Sequence, residues 1–213
     1  MLKCRERYSC PVAVLSSKGD DLEAVVERVV ATRDRVVVER AGVPAAIMVS
    51  PRELEGLEYS VDLLSEPKMV RRILEGEAAL GSGNLYMGEE LAALDPDGRF
   101  VVRSVAGELT VSPIPRPGGE DSWGLVASMP ARKALDELQF HVADAVRSFL
   151  FGRLLVEPVL AGVELHGFLA RRLATRVETA LVIYRLDTVK RLVRFVEVLN
   201  LGGLVGRQDN RHW

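Results

Sequence analysis

The chain has 213 residues, 48% of them hydrophobic and 27% charged, with a formal net charge of −2. Those values suit a soluble globular protein of one large domain or two small ones, and they exclude a disordered or fibrous chain. No apolar run of about 18 residues exists, so no membrane span is expected. The start, MLKCRERYSC, carries charge without the apolar stretch of a secretory signal, and the cytoplasm is the expected compartment. Cys4 and Cys10 lack a neighbouring histidine, so no metal is expected; a disulfide between them stays open on count alone. No cofactor motif is present.

The charge is uneven. Residues 1–94 hold 12 Lys+Arg against 16 Asp+Glu, and residues 123–213 hold 13 against 9. Residues 53–94 alone carry 9 acids and 3 bases. An acidic segment ahead of a basic domain suggests two bodies that attract each other.

In chain order, Asp20 stands where it can cap a helix running to about Thr32, with Leu22, Val25, Val26, Val29 and Val30 at helical spacing. Arg35–Arg40 reads as a strand, Ala41-Gly42-Val43-Pro44 breaks it, and Ala45–Val49 reads as its hairpin partner. Ser50-Pro51-Arg52-Glu53 is a capping box that opens a helix over 51–64, followed by a second over 66–80. Leu85-Tyr86-Met87 and Leu91–Leu94 form an apolar tail too small for its own core, so it is expected on another surface. Residues 95–122 are rich in Pro and Gly and are predicted to be a linker or a hairpin insert, with strands at Phe100–Val105 and Leu109–Val111. A strand at Trp123–Ser128 precedes an amphipathic helix pair that breaks near Phe140 and ends at Glu157-Pro158. Phe168–Val177, Ala180–Leu186 and Leu192–Leu199 are three strand-like runs. The fold class is therefore α+β, divided as 1–94, 95–122 and 123–213.

Several features of residues 22–94 resemble the Phd/YefM family of antitoxins: the helix ending Val29-Val30, the strand ending Val38-Glu39-Arg40, the run Ala45–Ser50, and the acidic helix start Glu53–Glu58. Leu63–Pro67 and Arg71-Arg72 extend the likeness. The resemblance implies a hairpin-and-helix domain that forms a homodimer and binds operator DNA, with a C-terminal tail that wraps a toxin. It assigns DNA contact to Arg40, with Arg35 nearby. Lys18 stands beside the position of the family's helix-start arginine, which is Gly19 here.

From Trp123 to Leu201 the chain resembles RelE/ParE toxins. The matching runs are Ala131–Leu138, Val146–Pro158 and above all Arg176–Asp187, RVETALVIYRLD. The resemblance implies helices packed on a small antiparallel sheet. Such toxins cleave messenger RNA through attack of a 2′-OH on the adjacent phosphate, which needs a proton acceptor, a proton donor and cations. Here the positions that supply them are Ala180, Leu181, Asn200 and Leu201, none of which moves a proton or holds phosphate charge. Losing one such clamp costs about 10²–10³ in rate. No catalytic residue and no enzyme activity are therefore expected. Residual RNA or ribosome contact is assigned to Arg171, Arg172 and Arg176. Tyr184 reads as a sheet residue, His141 as helix surface and His166 as loop.

Three functions fit these features. The first is a fused DNA-binding regulator with an inactive RelE-like domain folded against its own antitoxin segment, within one chain or swapped between two. The second is a latent mRNA interferase released by a cut within 95–122. The third is a neutraliser of a related toxin–antitoxin pair.

Overall fold

The computed structural model describes residues 12–16, 22–32, 35–86, 100–105, 108–113 and 123–201. They divide into two compact units, with the boundary after Glu58. Cys4, Cys10, Lys18, Asp20 and Leu91–Leu94 lie outside the described residues.

The first unit is a three-stranded sheet beside one helix. Strand β1 (Val12–Ser16) runs parallel to β2 (Arg35–Arg40), which pairs antiparallel with β3 (Val43–Met48). Ala41 and Gly42 turn the hairpin with φ of 53° and 75°. A left-handed pair of this kind matches the twist of the strands it joins. Helix α1 (Leu22–Thr32) buries Val29, and β2 buries Val36. Ser50 caps α2 (Pro51–Ser65), its Oγ accepting from the Glu53 amide at 3.2 Å. The Glu53 carboxylate accepts from Arg35 Nε and Nη2 at 3.2 and 2.8 Å, tying the helix start to β2.

The second unit is built on a mixed sheet. Its path among the described residues is β5 (Phe100–Val105), β6 (Glu108–Pro113), β7 (Gly124–Ser128), β11 (Leu192–Asn200), β10 (Ala180–Asp187), β9 (Leu173–Val177) and β8 (Val163–Glu164). The short β4 (Leu85–Tyr86) also pairs with β7. Strands β7 and β11 are parallel; β9, β10 and β11 form an antiparallel meander. The hairpin β5–β6 joins this sheet through Val111 and Leu125.

Alternation along β10 and β11 sorts the core into two layers. Ala180, Val182, Tyr184, Val193, Phe195 and Val198 meet α4 (Met129–Asp136), α5 (Phe140–Phe151) and α6 (Arg153–Val156), whose Leu135, Val146, Leu150 and Leu154 are buried there. Leu181, Ile183, Leu192, Val196 and Leu199 face the other way, toward Leu63 of α2 and Ile73 and Leu80 of α3 (Pro67–Ser82). Helix α7 (Pro158–Ala161) leads into β8.

Two strand starts differ from expectation: the hairpin partner expected from Ala45 begins at Val43, because Ala41 and Gly42 alone make the turn. The strand expected from Phe168 begins only at Leu173. Residues Gly167–Leu169 form a 3-10 turn, and Gly167 and Arg171 have φ of 62° and 67°, which no strand accommodates. The first compact unit ends at Glu58, and the apolar face of α3 is used by the second unit's sheet.

A helix seated on the central sheet

Leu181, one of the four positions that the RelE/ParE resemblance expects to be degenerate, lies in the layer under α3, and the packing there is unusually close. A Cβ built on Gly76 would lie 2.2 Å from the Val196 carbonyl oxygen and 3.1 Å from its carbon. Only glycine lets the helix backbone come so near a strand. The contact falls on a β-bulge: Phe195 pairs with Tyr184 and Glu197 with Ile183, leaving Val196 between them. The Val196 carbonyl accepts the Ser128 hydroxyl at 2.8 Å, while that Oγ accepts from the Ala131 amide at 3.0 Å and so caps α4.

Two charged links flank the glycine. Arg72 Nη2 donates to Glu197 Oε1 at 3.1 Å and to the Val198 carbonyl at 3.0 Å. Glu197 is buried in an apolar strand; burial pushes its carboxyl above its ordinary range, against the opposing pull of Arg72 and the Val198 amide. Next to Gly76 in the chain, Glu77 accepts from Arg172 Nη2 at 2.5 Å and lies 3.5 Å from Arg185. An unpaired buried charge is costly, so each link favours the seated helix. The end of α3 is also tied down. The Asn84 amide donates to the Ala79 carbonyl, and the Met129 amide donates to the Asn84 carbonyl.

The four positions expected to be degenerate come together at one end of this sheet. Leu181 pairs with Leu199 and Arg176, and Ala180 with Asn200. Leu181 is 1% exposed and lies in the layer under α3, with Leu201 packed at its margin. Ala180 faces the opposite layer, and Asn200 is exposed. Tyr184 is wholly buried; its hydroxyl donates to the Pro158 carbonyl at 2.8 Å, and a Cβ on Gly162 would sit 2.6 Å from that oxygen. His141 is exposed, and the His166 amide donates to Ser60 Oγ at 2.7 Å.

The three arginines proposed for RNA contact separate. Arg172, expected to contact RNA, is buried with its guanidinium turned inward to Glu77 and to the carbonyls of Phe168 and Ala170. Arg171 is exposed ahead of β9 and Arg176 is exposed near the end of its pairing, and Arg176 Nε donates to the Glu178 carbonyl at 3.0 Å. Of the DNA-contact set, Arg40 is exposed at the end of β2. Arg35 is half-buried on Glu53, and Lys18 lies outside the described residues.

Sequence reasoning did not find Gly76, Glu77 and Glu197. The available signals were a glycine inside a strongly periodic helix and one acid inside the apolar run VRFVEVL.

Residues 20–83 match the family described as antitoxin Phd_YefM, type II toxin–antitoxin system. Antitoxin RelF of Mycobacterium tuberculosis is 30% identical over 83 residues, covering 39% of this chain and 86% of that protein. Antitoxin RelB of the same organism is 29% identical over 80 residues, covering 38% of this chain and 90% of that protein. Among solved structures, a chain of the toxin–antitoxin complex RelBE2 of Mycobacterium tuberculosis is 33% identical over 33% of this chain and 80% of its own length, with a TM-score of 0.32.

Proposed function

We propose, from the premise that this chain belongs to the Phd/YefM antitoxin family of type II toxin–antitoxin systems, that it is a DNA-binding transcriptional regulator with a catalytically inactive RelE-like domain attached. The observation that carries this reading is Leu181 buried beneath α3. A strand position that must present a cation to a phosphate instead fills the core under a helix of the same chain.

Further support comes from the way the unit is built. A first strand, a helix pair and a three-strand meander follow one another, the order expected of the RelE/ParE resemblance. The helix that closes the sheet lies within the antitoxin-matched residues 20–83. A tethered inhibitor acts at an effective concentration on the order of millimolar, so an active toxin gains little from this attachment. The reading includes a homodimer through the first unit. There Leu22, Val26 and Val30 form an exposed apolar stripe on α1, at 60%, 45% and 60% exposure. Such a stripe on a helix that already buries Val29 inward suits a second copy.

The test is binding of the full chain to its own promoter fragment across a salt series. The proposal expects tighter binding there than to random duplex of equal length. Equal affinity for both rejects the regulator.

A further inference from the structure

Glu77, Leu80 and Gly81 follow one another on a single face of α3, across an open cleft of about 530 Å³ from the β10–β11 hairpin. Two arginines, Arg185 and Arg194, balance the carboxylates of Glu77 and Asp187 there, but the four groups are not equally satisfied. Arg194 Nη2 donates to Asp187, whose other oxygen accepts from the Lys190 amide. Glu77 is used on one side only. Its Oε2 holds Arg172, while its Oε1 is buried, accepts no hydrogen bond among the described residues and stands 3.5 Å from Arg185. Arg185 makes no hydrogen bond to the described residues, and its side chain is 45% exposed.

A buried carboxylate oxygen without a donor is costly, and the loose Arg185 contact relieves it only in part. A ligand of one sign gains little here, since pairing with either member strips the other of its partner. A molecule carrying both signs inserts without that loss. Its cation meets the carboxylate and its anion meets the guanidinium, each through a charge-assisted hydrogen bond. The rest of the cleft suits a small molecule with an apolar part. Leu80 and Leu186 form an apolar wall, and a Cβ added at Gly81 would meet nothing within 4 Å. Thr188 is exposed on the turn and adds a hydroxyl. The volume falls within the usual range of small-molecule sites, about 300–1,000 Å³.

We propose that this cleft binds a free α-amino acid with an apolar side chain. The ligand's ammonium group donates to Glu77 Oε1 as Arg185 turns outward. Its carboxylate accepts from Arg185 and from the Thr188 hydroxyl, and its side chain lies against Leu80 and Leu186. Glu77 belongs to α3 and Arg185 to β10, so the bound zwitterion ties the helix to the sheet. The site does not depend on the regulator reading.

The experiment is calorimetric titration of the full chain with L-leucine, leucinamide and N-acetylleucine. Leucine should bind saturably. Each analogue lacks one of the two charges and should bind about tenfold more weakly or worse. Arg185→Gln should weaken leucine binding about tenfold at an unchanged melting temperature, because this half-exposed side chain holds no hydrogen bond in the fold. Arg185→Lys should recover part of the loss. Bound leucine should also slow hydrogen exchange in the second half of α3, and Arg185→Gln should abolish that slowing. The site is overturned if leucine gives no saturable heat, if either analogue binds as well as leucine, or if Arg185→Gln binds leucine like the wild type.

Discussion

Gly76 and Val196 approach so closely that the helix has no room for a side chain at that position: the first carbon of an alanine would stand 2.2 Å from the strand's carbonyl oxygen. This contact makes a helix from the antitoxin-matched region part of the core of the basic half.

Gly76→Ala is therefore expected to destabilise the protein by about 2 kcal/mol, despite the better helix propensity of alanine. Gly81, one turn and a half along the same helix, has nothing within 4 Å of its added Cβ. Gly81→Ala is expected to stabilise by about 0.5 kcal/mol. Chemical denaturation of the two variants checks this; equal effects would mean that α3 is not seated on β11.

Glu197 links stability to pH with a definite sign. Its carboxyl is raised by burial, so the folded state holds that proton to higher pH than the unfolded chain does. Below its ordinary value of 4.5 both states are protonated and the group contributes nothing. As pH rises through its folded value, the group's contribution turns unfavourable. Glu197→Gln should remove this dependence, so the variant gains on the wild type between acid and neutral pH. Arg72→Ala should deepen the loss at neutral pH by about 2 kcal/mol, since it leaves a buried carboxylate without its cation. Asp187 acts oppositely. Chiefly the Lys190 amide lowers its carboxyl, so its contribution is present above its ordinary 3.8 and fades as pH falls. Urea midpoints measured across pH for the three proteins decide the matter.

Arg40 and Arg35 should separate cleanly. Arg40→Ala is expected to lower the salt slope of promoter binding by about 1 with stability unchanged. Arg35→Ala removes a half-buried ion pair with the capping residue Glu53 and should cost about 1 kcal/mol of stability. If Arg35→Ala leaves the melting temperature untouched while reducing the slope, Arg35 is a DNA contact after all.

The exposed stripe on α1 gives a prediction for assembly. Val26→Lys combined with Val30→Glu should convert the proposed homodimer to monomer in sedimentation at unchanged helix content, because both side chains already face outward. Dimers that survive the pair place the interface elsewhere.

Much of the fold was legible because its signals are local. The spacing of Val25 and Val29, the cap at Ser50 and the break near Phe140 each depend on a few neighbouring residues. The strand runs at 180–186 and 192–199 were visible because both layers bury them and they read as continuous apolar segments. What stayed hidden depends on partners far along the chain. Arg172 was assigned to RNA contact because Glu77, 95 residues earlier, cannot be matched to it by spacing. Leu181 was readable as a residue unfit for catalysis. That it serves as the floor under α3 required the tertiary packing of Ile73 and Leu80.

The proposed inactivity of the basic half is tested most directly by opening its sheet. A full-length chain carrying Gly76→Trp, with β10 and β11 amides still protected in hydrogen exchange, should be added to a translating extract and the messenger RNA mapped for new ends. No cleavage above the untreated extract is expected, because the uncovered strand still offers leucine where the reaction needs a cation. New ends at ribosome-bound codons would contradict this and make the protein a caged ribonuclease.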